Sequence, residues 1–184
     1  QLSILEACRL YNPEIRIVFA STRQIYGKPQ YLPVDEQHPS CPVDINGVNK
    51  LAGESYHLLY NQVYQVASSV LRLTNTYGPR MRIKDARQTF LGIWIKNLLQ
   101  GKPIHVFGNG QQRRDYNYVD DVIDALIIAA TEENAIGNIY NLGASVPLSL
   151  ENTAQIMCDG IKGASYQMIP FPENRKSIDV GDFV

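Results

Sequence analysis

Short β-branched apolar runs alternate with longer stretches of helical periodicity along this chain, and that alternation restricts it to an α/β layered fold built on a parallel sheet. Leu2, Ile4, Leu5, Cys8 and Leu10 mark one face of a helix over 2–11, which stops before the breaker pair Asn12-Pro13. Ile15-Arg-Ile-Val-Phe-Ala20 then reads as a buried parallel strand. Val48, Leu51, Tyr56, Leu59, Tyr60 and Val63 predict a helix from Gly47 to about Tyr64. Ser68-Ser-Val-Leu-Arg-Leu-Thr74 is the next strand. Further helices are expected over about 87–100, 119–132 and 149–160, with short strands at 104–107, 138–142 and 166–169. The Pro-bearing stretch from Gly27 to Asp44 is too long for a mere connector, so a functional or packed loop is expected there. There is no internal repeat, low-complexity tract or interdomain linker.

Composition narrows the partners. The 184 residues can form one domain that buries about 70% of its unfolded surface. Hydrophobic residues make up 45% and charged residues 19%, a folded rather than a disordered balance. A net charge of -1 provides no bulk attraction to nucleic acid or to a membrane surface. Basic residues do cluster, in Arg80-Met-Arg-Ile-Lys-Asp-Ala-Arg87 and Arg113-Arg114, an arrangement that suits a small anionic ligand. Cys8, Cys41 and Cys158 are sparse and lack a C-x-x-C spacing, which points to reduced thiols and a cytoplasmic protein. No apolar run approaches the roughly 18 residues of a membrane span, and no metal-ligand pattern is present. The chain opens on Gln1 inside a helical pattern without a capping residue, so both ends read as cuts in a longer protein.

Four segments carry candidate reactive or ligand-binding side chains, and the first and third of them lie at strand ends, where ligands sit in parallel α/β sheets. In Ala20-Ser-Thr-Arg-Gln-Ile-Tyr-Gly27, a hydroxyl either caps the turn or bonds a substrate hydroxyl. In Asn46-Gly-Val-Asn-Lys50, a lysine in the first turn of a helix opposes the helix dipole, which a ligand role explains and a surface role also permits. Leu71-Arg-Leu-Thr-Asn-Thr-Tyr-Gly-Pro-Arg80 offers Asn75, both donor and acceptor, before a Gly-Pro turn. In the fourth segment, Gly101 to Asp121, Arg114 either pairs with its neighbour Asp115 or presents its fork to a phosphate, and Phe107 either stacks on a base or joins the core.

In order and spacing these segments resemble the NAD-dependent nucleotide-sugar epimerase/dehydratase family, the extended short-chain dehydrogenase/reductases. The carriers are the Ser/Thr segment ending in Tyr26-Gly27, the helix start with Lys50, and Arg72-Leu-Thr-Asn75 running to Tyr77-Gly-Pro79. They continue with Val106-Phe-Gly-Asn-Gly110 and, most specific, Arg114-Asp-Tyr-Asn-Tyr-Val-Asp-Asp121. Tyr140-Asn-Leu-Gly143 and Pro172-Glu-Asn-Arg175 fit the later pattern. The resemblance implies a partial Rossmann sheet, doubly wound, plus a small C-terminal substrate-binding lobe. Residues 1–80 would be the C-terminal part of the NAD-binding Rossmann domain. Residues 81–184 would be mainly the substrate lobe, with segments returning to the sheet. It further implies a nucleotide-diphosphate sugar as substrate, NAD as cofactor and a homodimeric full-length protein.

By position, the resemblance makes Thr22 the hydroxyl near the reacting carbon. Lys50 would grip the nicotinamide ribose, and Leu73 would lie near the nicotinamide. Asn75, Arg114 and Arg175 would hold the substrate pyrophosphate, and His105, Val106 and Phe107 would flank the base. Three departures matter. Asn46 stands where the family has its catalytic Tyr, and a carboxamide does not titrate near neutrality. Tyr26 is the nearest phenol, but the family usually has a Tyr there too. Arg23-Gln24 stand where sugar dehydratases carry Asp-Glu, which lowers the dehydratase reading relative to epimerase, with nucleotide-sugar dehydratase or decarboxylase kept as an alternative. The Gly-rich NAD-binding turn is expected upstream of Gln1, so these residues alone should be inactive. Asn46 also opens the alternative of a degenerate, non-catalytic nucleotide-sugar-binding protein.

Overall fold

The computed structural model describes residues 1–84, 89–173 and 179–184. Its organising element is a parallel sheet of three strands in the order β1 (Ile17–Thr22), β2 (Ser68–Leu73) and β7 (Ile139–Leu142). Helices α1 (Leu2–Tyr11) and α2 (Ile45–Tyr64) precede and link the first two strands, and α4 (Val119–Thr131) leads towards the third. The central position of β2 explains why almost all of it is buried, its polar residues included. Each of those has a partner. Ser68 Oγ lies 2.7 Å from His57 Nδ1, Ser69 Oγ donates to the Ala135 carbonyl at 2.9 Å, and Arg72 meets Glu54.

Between β2 and β7 the chain makes a long excursion. Two short strands, β3 (Asn75–Tyr77) and β6 (Tyr116–Tyr118), pair in parallel just beyond the end of β2. Farther out, α3 (Phe90–Leu99) and, from the chain after β7, α5 (Leu150–Asp159) pack on the parallel pair of β4 (Ile104–Phe107) and β9 (Tyr166–Ile169), the latter also after β7. Leu91, Trp94, Leu98, Ile104, Val106, Leu150, Ala154 and Cys158 form a core there, separate from the clusters beneath the three-stranded sheet. An antiparallel contact of β5 (Arg113–Arg114) with β8 (Leu148–Ser149) ties the two regions together.

The periodicity predicts these helices and the main strands, with shifts at the boundaries. The first strand runs to Thr22, because its pairing with β2 continues to Thr22 opposite Leu73, while Ile15 is left in an exposed turn. α2 begins at Ile45: Asp44 caps it, its Oδ1 accepting from Gly47 N–H at 2.8 Å. Lys50 therefore lies beyond the first turn, and the expected conflict with the helix dipole falls away. The stretch between Tyr26 and Ile45 forms no regular helix or strand after a short 3-10 turn over Arg23–Tyr26. The start of the helix expected over 87–100 lies partly outside the described residues. Among the described residues no helix is long and apolar enough to cross a membrane, and no group of His, Cys, Asp and Glu could hold a metal ion.

Candidate functional site

The carboxyl ends of β1 and β2 open onto a cavity that shares Phe90 with a second one, which lies against α3 and β4. One, of about 330 Å³, is lined by Thr22, Arg23, Gln24, Thr74, Asn75, Thr76 and Thr89. The other, of about 310 Å³, is lined by the rings of Trp94, His105, Phe107 and Phe171 together with Gln112, Arg114 and Asp179. The first is a hydroxyl- and amide-lined chamber with one cation. The second is an aromatic slot with an arginine at its polar side. Such concave sites with a few convergent polar groups are where small ligands bind.

Local structure explains how the side chains arrive there. Thr22 ends β1, and its Oγ1 accepts from Gln24 N–H at 3.4 Å, which turns the chain into the 3-10 turn. That turn is pinned from beneath by a buried network. Arg72 grips Glu54 through Nε (3.1 Å) and Nη2 (2.7 Å), and its Nη1 donates to the Tyr26 hydroxyl at 2.7 Å. The Tyr26 hydroxyl in turn donates to Asn141 Oδ1 at 2.7 Å, and Ser21 donates to Glu54. Burial pushes the Tyr26 phenol above its ordinary pKa, against the pull of Arg72. Tyr26 is thus a buried tie between the turn, β2 and β7.

Asn46 is exposed near the start of α2, where its Nδ2 donates to Gln24 Oε1, while Gln24 Nε2 donates to Asp44 Oδ2 at 2.9 Å. Lys50 spans from α2 to the end of β1, donating from Nζ to the Ala20 carbonyl at 2.6 Å and resting 4.9 Å from the Phe19 ring centroid. Leu73 is the register partner of Thr22 at the end of β2. Asn75 donates from Nδ2 to the Asp115 carbonyl at 2.8 Å, joining β3 to the segment before β6.

The Arg113–Arg114 pair divides by strand alternation. Arg113 is outward and pairs with Asp182 at 3.0 Å. Arg114 is buried, with Nη1 on the Gly181 and Arg113 carbonyls (2.5 and 2.9 Å) and Nη2 on Gln112 Oε1 at 3.2 Å. Burial lowers its pKa from the usual arginine value. The alternative of an ion pair with Asp115 is not the one the chain adopts. Asp115 turns to the Ala144 N–H at 2.6 Å, and a Cβ at Gly143 would sit 2.3 Å from its Oδ2, so only glycine fits there. Burial raises the Asp115 pKa, opposed by those backbone donors and by Arg23.

Thr22 and Asn75 thus meet in one cavity, and His105, Phe107 and Arg114 in the other. Val106 does not join them: in β4 its side chain alternates to the opposite face and is fully buried in the core. Leu73 ends β2, and Asn46 and Lys50 reach from α2 to Gln24 and to the Ala20 carbonyl, but none of the three lines either cavity. Arg175 lies outside the described residues. Phe90, Trp94, Phe171, Gln112, Asp179 and the threonines at 74, 76 and 89 were not legible as site residues, because no local pattern separates a lining side chain from a core or loop one.

A parallel α/β sheet with a cavity at its strand ends is the arrangement in which α/β proteins hold ligands, and comparison with known proteins makes the class specific. The chain belongs to the NAD dependent epimerase/dehydratase family, whose model matches residues 1–143. It is 41% identical over 139 residues to a putative UDP-glucose 4-epimerase of Methanocaldococcus jannaschii, covering 75% of this chain and 45% of that protein. Among solved structures it is similar to the UDP-glucose 4-epimerase of Thermotoga maritima with UDP-glucose: 26% identity, TM-score 0.86, 100% of this chain and 58% of that one. It is similar as well to the UDP-glucuronic acid 4-epimerase of Bacillus cereus in complex with UDP-glucuronic acid and NAD: 30% identity, TM-score 0.76, 91% and 52% covered. The chain spans about half the length of the curated relatives it matches.

Proposed function

We propose that the full-length protein is a nucleotide-sugar epimerase that oxidises its sugar transiently, at the 4-position that the relatives' names give, and reduces it again from the other face. The observation that carries this reading is convergence: Thr22, Asn75 and Arg114, distant in sequence, reach two adjoining chambers at the ends of parallel strands. The aromatic slot has the shape and chemistry for a nucleoside, with Arg114 beside it for the diphosphate. The hydroxyl-rich chamber suits a sugar, with Thr22 bonding the hydroxyl that is oxidised. NAD, when bound, takes up and returns the electrons of that oxidation. The nicotinamide end fits this chain's residues, since Lys50 already bridges to the Ala20 carbonyl and has further ammonium donors to offer a ribose, while Leu73 supplies an apolar strand end. These residues contain no G-x-x-G-x-x-G turn for the pyrophosphate, so on their own they should retain NAD poorly.

Arg23 and Gln24 supply neither the acid nor the base of a water elimination, which supports epimerase over dehydratase chemistry. Asn46 is bonded to Gln24 and cannot exchange a proton, so a group other than residue 46 takes it. The test is the full-length protein with UDP-sugars, followed by epimer analysis and by NADH absorbance. Turnover by wild type, with a lower rate in Asn46→Tyr, is expected, because the ring displaces the Asn46–Gln24 contact beside the chamber. Activity seen only in Asn46→Tyr would establish a degenerate binding protein instead.

A further inference from the structure

One cation in the sugar chamber has no use in the reading above. Of the partly or fully buried arginines among the described residues, Arg9 and Arg16 bond acids, Arg72 bonds Glu54, and Arg114 bonds carbonyls. Arg23, also partly buried, has no hydrogen bond and no ion pair among the described residues. Its guanidinium rests 4.9 Å from the ring centroid of the buried Phe183, which fixes the side chain without satisfying its N–H fork. The other residues lining this chamber are neutral: threonines, amides and Phe90. The nearby acids are committed elsewhere, Asp44 to Gly47 N–H and Gln24, and Asp115 to Ala144 N–H. Burial, reinforced by the field of Arg114, lowers the Arg23 pKa to about 10, which leaves it a cation at neutral pH.

A partly desolvated guanidinium without a counter-charge is costly until an anion arrives, and its planar fork matches a carboxylate in two parallel bonds. Its place is beside Thr22 in the hydroxyl-lined chamber, whereas Arg114 serves the aromatic slot. We propose that Arg23 recognises a carboxylate on the sugar itself, so that the protein prefers nucleotide uronates to neutral nucleotide hexoses. This rests on the nucleotide-sugar reading and goes beyond it by naming the substrate class and the residue that selects it.

The experiment is calorimetry on the NAD-loaded full-length protein with UDP, UDP-glucose and UDP-glucuronate, for wild type, Arg23→Met and Arg23→Lys. Wild type should bind UDP-glucuronate at least about tenfold more tightly than UDP-glucose, the scale of one charge-assisted hydrogen bond. Arg23→Met keeps a flexible chain against Phe183 and should abolish the preference while leaving UDP affinity unchanged; Arg23→Lys should keep part of it. Equal wild-type affinity for the two sugars overturns the proposal and needs no variant to fold. A uniform loss for all three ligands in a folded Arg23→Met, checked by its melting temperature, also overturns it and makes Arg23 a diphosphate contact. Failure of wild type to bind UDP at all overturns the nucleotide-sugar reading as well.

Discussion

Removing Glu54 should cost far more than the loss of a single hydrogen bond, because of what it leaves behind. Glu54 is 1% exposed and Arg72 5%, and the guanidinium reaches the carboxylate at 2.7 Å through Nη2. Burial alone would depress the Arg72 pKa, and Glu54 together with Tyr26 more than offsets this, so it is raised. Glu54→Ala strands that cation in the core, at a cost of about 3–5 kcal/mol. Against a total stability of roughly 5–15 kcal/mol, that loss threatens folding. Glu54→Leu combined with Arg72→Met removes both charges. It still leaves the Ser21 hydroxyl without its acceptor and Tyr26 without its Arg72 donor, at roughly 1–3 kcal/mol for a group left unsatisfied. The double variant should therefore lose much less than the sum of the single ones. Urea unfolding of wild type, Glu54→Leu, Arg72→Met and the double variant gives the coupling energy, expected to be at least about 2 kcal/mol. A loss below about 1 kcal/mol in Glu54→Ala, or a coupling near zero, would refute the reasoning that the pair is a buried, interdependent unit.

Arg114→Lys keeps the charge and loses the fork, so nucleotide-sugar binding by the full-length protein should weaken by roughly 1–3 kcal/mol; unchanged affinity with a lowered melting temperature would make Arg114 a purely structural residue holding Gly181 and Gln112. His57 is buried against Ser68, and burial lowers its pKa from 6.5 to about 4. The unfolded chain therefore takes up the proton first, and stability is lost as the pH falls from about 6.5 to about 4, by roughly 3 kcal/mol. Denaturant midpoints across that window check the slope, and an imidazole resonance titrating near the ordinary histidine value in the folded protein would contradict it.

Period alone revealed the α/β class and most elements, because alternation at strand or helix spacing is a local record of which face is buried. Motif spacing brought Thr22, Asn75, His105, Phe107 and Arg114 to notice one at a time. Their grouping came only from the resemblance and not from the residues themselves, since it depends on how β3 and β6 pair beyond the end of β2 and how β5 meets β8, contacts between residues dozens of positions apart. Val106 shows the limit: adjacency to His105 and Phe107 in sequence becomes the opposite face of the strand, and only packing against Leu91 and Ala154 says which face is core. The same holds for Asp115. It follows Arg114 in the chain yet bonds Ala144, because Gly143 lacks the Cβ that would block its carboxylate. Arg23 could be read in the sequence only as a departure from Asp. That it is a cation with no partner follows from where Phe183, Asp44 and Asp115 come to rest, and the tertiary structure alone places them.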